Sequence, residues 1–171
     1  MREQPTQVQT GSIRARALVF IVIFLVAACT AAVVFAMLYQ QPYKPPPFEP
    51  QAATGNPDPP ESLGYSIIDA MRTFSFGLAG VMYQQEDNSL QIYFTNPEDN
   101  VAYLMCEIVD PGGKTLYRSG LLRPGEYVIN LYPVTKLENE AVNIDVKIYA
   151  LDPEHYYSIG TVTLDNILQP Y

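Results

Sequence analysis

Catalysis needs acids, bases or nucleophiles held close together, and this chain offers few of them. Its one histidine, His155, follows Asp152-Pro153-Glu154 in a turn-like stretch where an imidazole is expected to face solvent. Its two cysteines are Cys29 and Cys106. Cys106 lies inside a β-prone run, which predicts a small buried residue rather than a thiolate paired with His155. One histidine and one cysteine in that part of the chain cannot build the usual zinc site. No G-x-S-x-G, phosphate-binding glycine loop or H-E-x-x-H motif occurs. Paired carboxylates stand at Glu86-Asp87 and Glu98-Asp99. With Asn88 and Asn100 they have the oxygen chemistry that suits calcium, but without EF-hand spacing they read as solvated turns. The expectation is a chain that is not an enzyme, with no catalytic residue, no metal site and no cofactor.

Tyrosine is the unusual feature: thirteen occur, with no tryptophan. Tyrosine has an apolar body and a polar tip, so it suits half-buried strands and contact surfaces alike. Tyr93, Tyr103, Tyr117, Tyr149, Tyr156 and Tyr157 are the candidates for an exposed aromatic strip. Such a strip would serve a protein partner or stack on the rings of a cell-wall glycan. Ordinary cross-strand packing is the plainer account of the same residues.

Charge excludes one partner class. Residues 40–171 carry seven basic against seventeen acidic side chains, a net of −10. No basic patch is visible for nucleic acid phosphates. Cys29 and Cys106 belong to chemically different segments, so no internal disulfide is expected.

The apolar run over residues 17–39 has no charged side chain. As a helix it spans roughly 34 Å, enough for a bilayer core. Arg14 and Arg16 abut its start while only Lys44 flanks its far end, which predicts an N-terminus in the cytoplasm and a C-terminal domain outside the cell membrane. Residues 1–16 would then be a cytoplasmic tail. A cleaved secretory signal is the weaker reading, because the apolar run is too long for one. Val26-Ala27-Ala28-Cys29 resembles a lipobox, which makes Cys29 a candidate for lipidation. The apolar residues after it favour an uncleaved anchor.

Residues 40–64 hold eight of the fifteen prolines. Proline fixes φ and removes a donor, so an extended, semi-rigid linker is expected. Residues 65–171 alternate β-prone runs with turn signals. Leu90, Ile92 and Phe94 share one phase, as do Tyr127, Ile129 and Leu131, and Ile144, Val146, Ile148 and Ala150. Residues 103–109, 114–119 and 161–164 are further strands, and 66–73 is the one stretch suited to a short helix. Asp110-Pro111-Gly112-Gly113 and Arg123-Pro124-Gly125 are turn sequences, the second in the order of a type II turn. Seven or eight strands at this spacing predict an all-β domain, an immunoglobulin-like antiparallel β-sandwich tethered to one N-terminal transmembrane helix.

Four pieces of the chain carry a resemblance: Asn96-Pro97; Tyr103-Leu104-Met105-Cys106-Glu107-Ile108; the run from Leu116 to Gly125, with its Ser119-Gly120-Leu121 and Pro124-Gly125; and Val146-Lys147-Ile148-Tyr149. Together they resemble small Gram-positive cell-envelope proteins with one N-terminal anchor and one sandwich ectodomain. The resemblance covers under half of the chain. It implies a fold and a location but no activity. Anchor, spacer and catalytically bare domain together lead to two expectations. The first is a module for protein–protein interaction or assembly of an envelope complex. The second is a glycan-binding module.

Overall fold

In the computed structural model, residues 11–39, 43–70, 73–134 and 141–170 are described. Most of the expected cytoplasmic tail lies outside them. The chain divides into two compact units, residues 1–44 and 45–171.

Among the described residues the first unit contains one helix, α1 (Gly11–Tyr39). Its stretch Leu18–Met37 is apolar and long enough to cross a membrane, which fits a single-pass or signal-anchored protein. Inside a bilayer a helix satisfies its backbone groups without outside partners. Thr30 does the same for its hydroxyl, donating to the carbonyl of Val26 at 2.5 Å.

The second unit is built of strands: β1 (Ala53–Thr54), β2 (Ser66–Ala70), β3 (Phe74–Leu78), β4 (Met82–Gln84), β5 (Leu90–Asn96), β6 (Tyr103–Val109), β7 (Thr115–Arg118), β8 (Glu126–Leu131), β9 (Val142–Leu151) and β10 (Ser158–Gln169). They form a single curled sheet in the order β1-β8-β5-β4-β10-β9-β6-β7, with β3 alongside β5 and β2 alongside β3. The sheet is mixed and not purely antiparallel as expected, because Leu168 and Gln169 of β10 pair in parallel with Met82 and Tyr83 of β4. That short parallel contact joins the two halves and lets the sheet curl over one core. Phe76, Phe94, Leu104, Cys106, Ile108, Tyr117, Val146 and Ile148 are each fully buried in that core.

The strands follow their sequence signals where alternation is strong. In β9, Ile144, Val146, Ile148 and Ala150 all face inward. The Asp110-to-Gly113 turn closes the β6–β7 hairpin, with Gly113 at φ 84°. Gly125 takes φ 78° in the turn where Glu126 N–H donates to Arg123 O, the type II geometry.

Three expectations fail for local reasons. Residues 66–70 are strand β2, not a helix, because β3 supplies an antiparallel partner along their whole length. In β8 the inward residues are Val128 and Leu131, while Ile129 is exposed. The register between β5 and β8 slips between Gln91 and Phe94, and Tyr93 there takes φ 50°. A bulge of this kind changes which side chains face the core. Finally, the proline-rich stretch is not a free spacer beyond Pro45. Phe48 bridges to Leu121, Ala53 and Thr54 pair with β8, and Leu63 is buried.

Candidate functional site

The outer face of β6 and β9 collects the most distinctive surface side chains. In β6 the even residues Leu104, Cys106 and Ile108 point into the core, so Tyr103, Met105 and Glu107 point out and are half-buried. Register with β9 places Tyr149 beside Met105 and Lys147 beside Glu107, and register with β10 places Thr161 beyond Tyr149. Cross-strand neighbours of this kind sit about 5 Å apart and share one surface.

At one end of this face the proline-rich segment contributes Phe48. Its ring meets Tyr103 edge-on with centroids 5.2 Å apart, and Tyr103 meets Tyr156 at 6.0 Å. The Arg123 guanidinium lies 3.6 Å above the Phe48 ring and is also paired with Glu126 at 3.2 Å. A cation over an aromatic face is attracted by the ring quadrupole. The result is a continuous band of Arg123, Phe48, Tyr103 and Tyr156.

Phe48 is held there by backbone contacts, not by its ring alone. Glu49 N–H donates to Leu121 O at 2.9 Å, and Leu121 N–H donates to Pro47 O at 2.9 Å. The Glu49 carboxylate accepts from the Gly120 N–H at 2.6 Å. Gly120 is required because a Cβ there would lie 2.5 Å from the Glu49 nitrogen.

At the other end of the face Glu107 is the hub. Its carboxylate accepts from Thr115 at 2.6 Å, from Tyr149 at 3.0 Å and from Arg118. Partial burial pulls the Glu107 carboxyl upward, but these three hydrogen bonds outweigh it and hold the group below the usual carboxylate range. Partial burial and the bond to Glu107 together raise the Tyr149 phenol. The network fixes Tyr149 in one position on the surface.

The structure divides the six sequence-selected tyrosines. Tyr103, Tyr149 and Tyr156 contribute to the face and its band, and Tyr157 is exposed in the loop after β9. Tyr93 and Tyr117 are interior residues. Tyr117 is fully buried with its hydroxyl donating to Asn88 O at 3.0 Å, and Tyr93 packs against Leu63 and Ala79. Neither strand alternates cleanly: Ile92, Tyr93 and Phe94 are buried in succession at the β5 bulge, and Leu116 and Tyr117 in succession in β7. Sequence reasoning missed Phe48, Met105, Glu107 and Arg123. An isolated phenylalanine among prolines was the one available signal.

The remaining candidates do not come together. Asp87 and Asp99 lie in turns at opposite ends of β5, a seven-residue strand, so the two acidic loops form no common calcium site. Among the described residues no group of three or more His, Cys, Asp or Glu side chains could hold a metal ion. His155 is largely exposed, with its ring nitrogen 3.1 Å from Asp152. Asp152 also accepts the backbone N–H groups of His155 and Glu154, which hold its carboxyl below the usual range. Cys106 is fully buried, so it makes no pair with His155. Burial also drives its thiol far up in pKa. Both cysteines are free, and Cys29 lies on α1 with helix continuing ten residues beyond it.

No protein-family model matches the chain, and no curated protein or solved structure matches it either. One apolar N-terminal helix and a β-rich domain fit the general description of small, singly anchored Gram-positive envelope proteins. The comparisons add no support for that group.

Proposed function

We propose that the chain is a non-catalytic, membrane-anchored envelope protein whose β-domain, outside the cytoplasm, binds another protein. The observation that carries this reading is the outer face of β6 and β9. Tyr103, Met105 and Tyr149 form an apolar centre, with Arg123 at one end and Glu107, Lys147 and Arg118 at the other. Aromatic residues, Met and Arg with a polar rim are the composition of protein-binding patches. Arg14 and Arg16 before the apolar helix support the orientation.

The proposal includes an immunoglobulin-like sandwich. Its support is strand order: β10-β9-β6-β7 as one layer and β1-β8-β5-β3-β2 as the other, with β4 crossing between them. The hallmark tryptophan and paired cysteines of antibody domains are lacking.

A photo-crosslinking residue placed at Met105 or Tyr149 of the full chain in intact cells tests the reading. A discrete protein adduct should form from these positions and not from Lys114, an exposed turn residue. Absence of any adduct, or equal adducts from Lys114, overturns it. The half-buried rings of Phe48, Tyr103 and Tyr156 favour glycan binding as the second reading. Retention of the full chain on cell-wall polysaccharide, lost in Tyr103→Ala, would establish that instead.

A further inference from the structure

The longest strand has one open side. β10 pairs with β9 from Ser158 to Leu168, but its other side meets β4 only at Leu168 and Gln169. Among the described residues no strand lies along the rest of that edge. The edge is bounded at both ends. The register slips between Ser158 and Gly160, and Gly160 packs on the Phe74 ring. At the far end Asn166 reaches Gly80 O at 3.4 Å. Between them runs Gly160-Thr161-Val162-Thr163-Leu164, followed by Asp165.

This stretch has none of the usual protections of an edge strand: no proline, no charge and no bulge within it. Its inward residues are also poorly covered. On the neighbouring strand, Val146 and Ile148 are fully buried, while their partners Leu164 and Val162 are only half-buried. Ile68 of β2, the last strand of the other half, is half-buried against the same core. Apolar side chains packed on the core yet left accessible at an unpaired backbone edge mark a place where one more strand belongs.

We propose that this edge pairs with the same edge of a second copy, antiparallel and centred on Val162. The register follows from the bounds of the free segment, whose midpoint is Val162. Val162 then opposes Val162 of the other copy, and Gly160 opposes Leu164. The four half-buried aliphatic side chains cover one another on the inner face. On the outer face Thr161 opposes Thr163, a favourable cross-strand pair. Asp165 of each copy falls outside the ladder, so no like charges meet. The ladder itself carries no charge, so it offers a charged strand no directly opposed counter-charge, while Thr161-Val162-Thr163 is its own complement. The surrounding domains repel each other, so association strengthens with ionic strength. The inference is independent of the outer face of β6 and β9.

The full chain in detergent micelles, measured by light scattering over roughly 1–100 μM, the range in which small interfaces assemble, should double its protein mass. The double variant Thr161→Lys with Thr163→Lys should be monomeric, as should Thr161→Glu with Thr163→Glu. Mixing the two should restore the dimer. Both positions are exposed, so both variants should keep the wild-type far-UV spectrum. In a Cys29→Ser background, chains carrying Thr161→Cys and chains carrying Thr163→Cys should crosslink with each other about 10-fold faster than either with itself, because only opposed residues meet disulfide geometry. A wild-type chain that stays monomeric throughout this range overturns the proposal. So do lysine variants that remain dimeric, crosslinking that is equal in all combinations, or a monomer whose β10 edge takes up only an added basic peptide.

Discussion

Gly120→Ala should release the Phe48 segment from the domain. The backbone at Gly120 is not in the left-handed region, so alanine itself is tolerated there. The clash is with the segment: the new Cβ would sit 2.5 Å from the Glu49 nitrogen and 2.6 Å from its Cα. Backbone cannot yield by rotating a side chain, so residues 47–49 must lift away. Two backbone hydrogen bonds between Pro47, Glu49 and Leu121 are then lost, with the bond from Gly120 N–H to the Glu49 carboxylate. The first two are worth about 1 kcal/mol each and the charged one about 2 kcal/mol. Loss of half of the Phe48 burial adds about 1 kcal/mol. Released, Phe48 and Glu49 regain backbone entropy of about 1–1.5 kcal/mol each, while Pro45, Pro46, Pro47 and Pro50 have little φ freedom to regain. The net destabilisation should be about 2–3 kcal/mol, which for a domain of this size lowers the midpoint by roughly 6–15 °C. Thermal unfolding of the full chain in micelles, followed through the tyrosine near-UV signal, measures it. Hydrogen exchange supplies the specific readout: the Glu49, Gly120 and Leu121 amides should lose protection while the Cys106 amide keeps its own. A midpoint within about 1 °C of wild type, with those three amides still protected, would refute the reasoning.

Asn96 is fully buried, donates to Ala102 O and Leu122 O at 2.9 Å each, and accepts from Asn100 at 2.6 Å. Asn96→Ala leaves the Ala102 carbonyl without its donor, takes one of two donors from Leu122 O and removes an acceptor from Asn100, and should cost about 3 kcal/mol in urea unfolding. Because the Glu107 carboxyl is depressed in the folded state, its stabilisation is present above the unfolded carboxylate range and is lost as pH falls through its folded value. The stability difference between wild type and Glu107→Gln should therefore shrink from about pH 5 downward, and a difference that stays flat across acid pH would count against the network. Cys106, buried with its thiol pushed up, should resist iodoacetamide in a Cys29→Ser background until denaturant unfolds the domain. Labelling in native buffer at the denatured rate would contradict its placement.

Much of the β-domain was legible because it rests on local physics. The alternation in β9 is uninterrupted and faces one core, so its inward residues follow from period alone. The turns at Asp110-Pro111-Gly112-Gly113 and Arg123-Pro124-Gly125 require left-handed residues that only glycine supplies cheaply, and glycine stands at both places. The short strands β1 to β4 carried no such signal. β1 has two residues paired with the distant β8, and β4 has three, held between its chain neighbour β5 and the distant β10. Their pairing is decided by partners, not by propensity. Proline content argued for a linker at 40–64, and the argument was sound for the backbone of that segment. It could not anticipate that Phe48, Glu49 and Leu63 each find a partner on the domain.

The sequence by itself determined the uncharged apolar run of the helix, the acidic balance of the rest and the period of the strongly alternating strands, because each depends on residues close together in the chain. Tertiary structure alone decided that Phe48 meets Tyr103 and Arg123, that Tyr93 and Tyr117 turn inward, and that no described strand lies along most of one β10 edge. Those outcomes come from register and from contacts between residues far apart in sequence. A single-residue shift in pairing reverses the face of every side chain, and no local pattern records which shift the fold adopts.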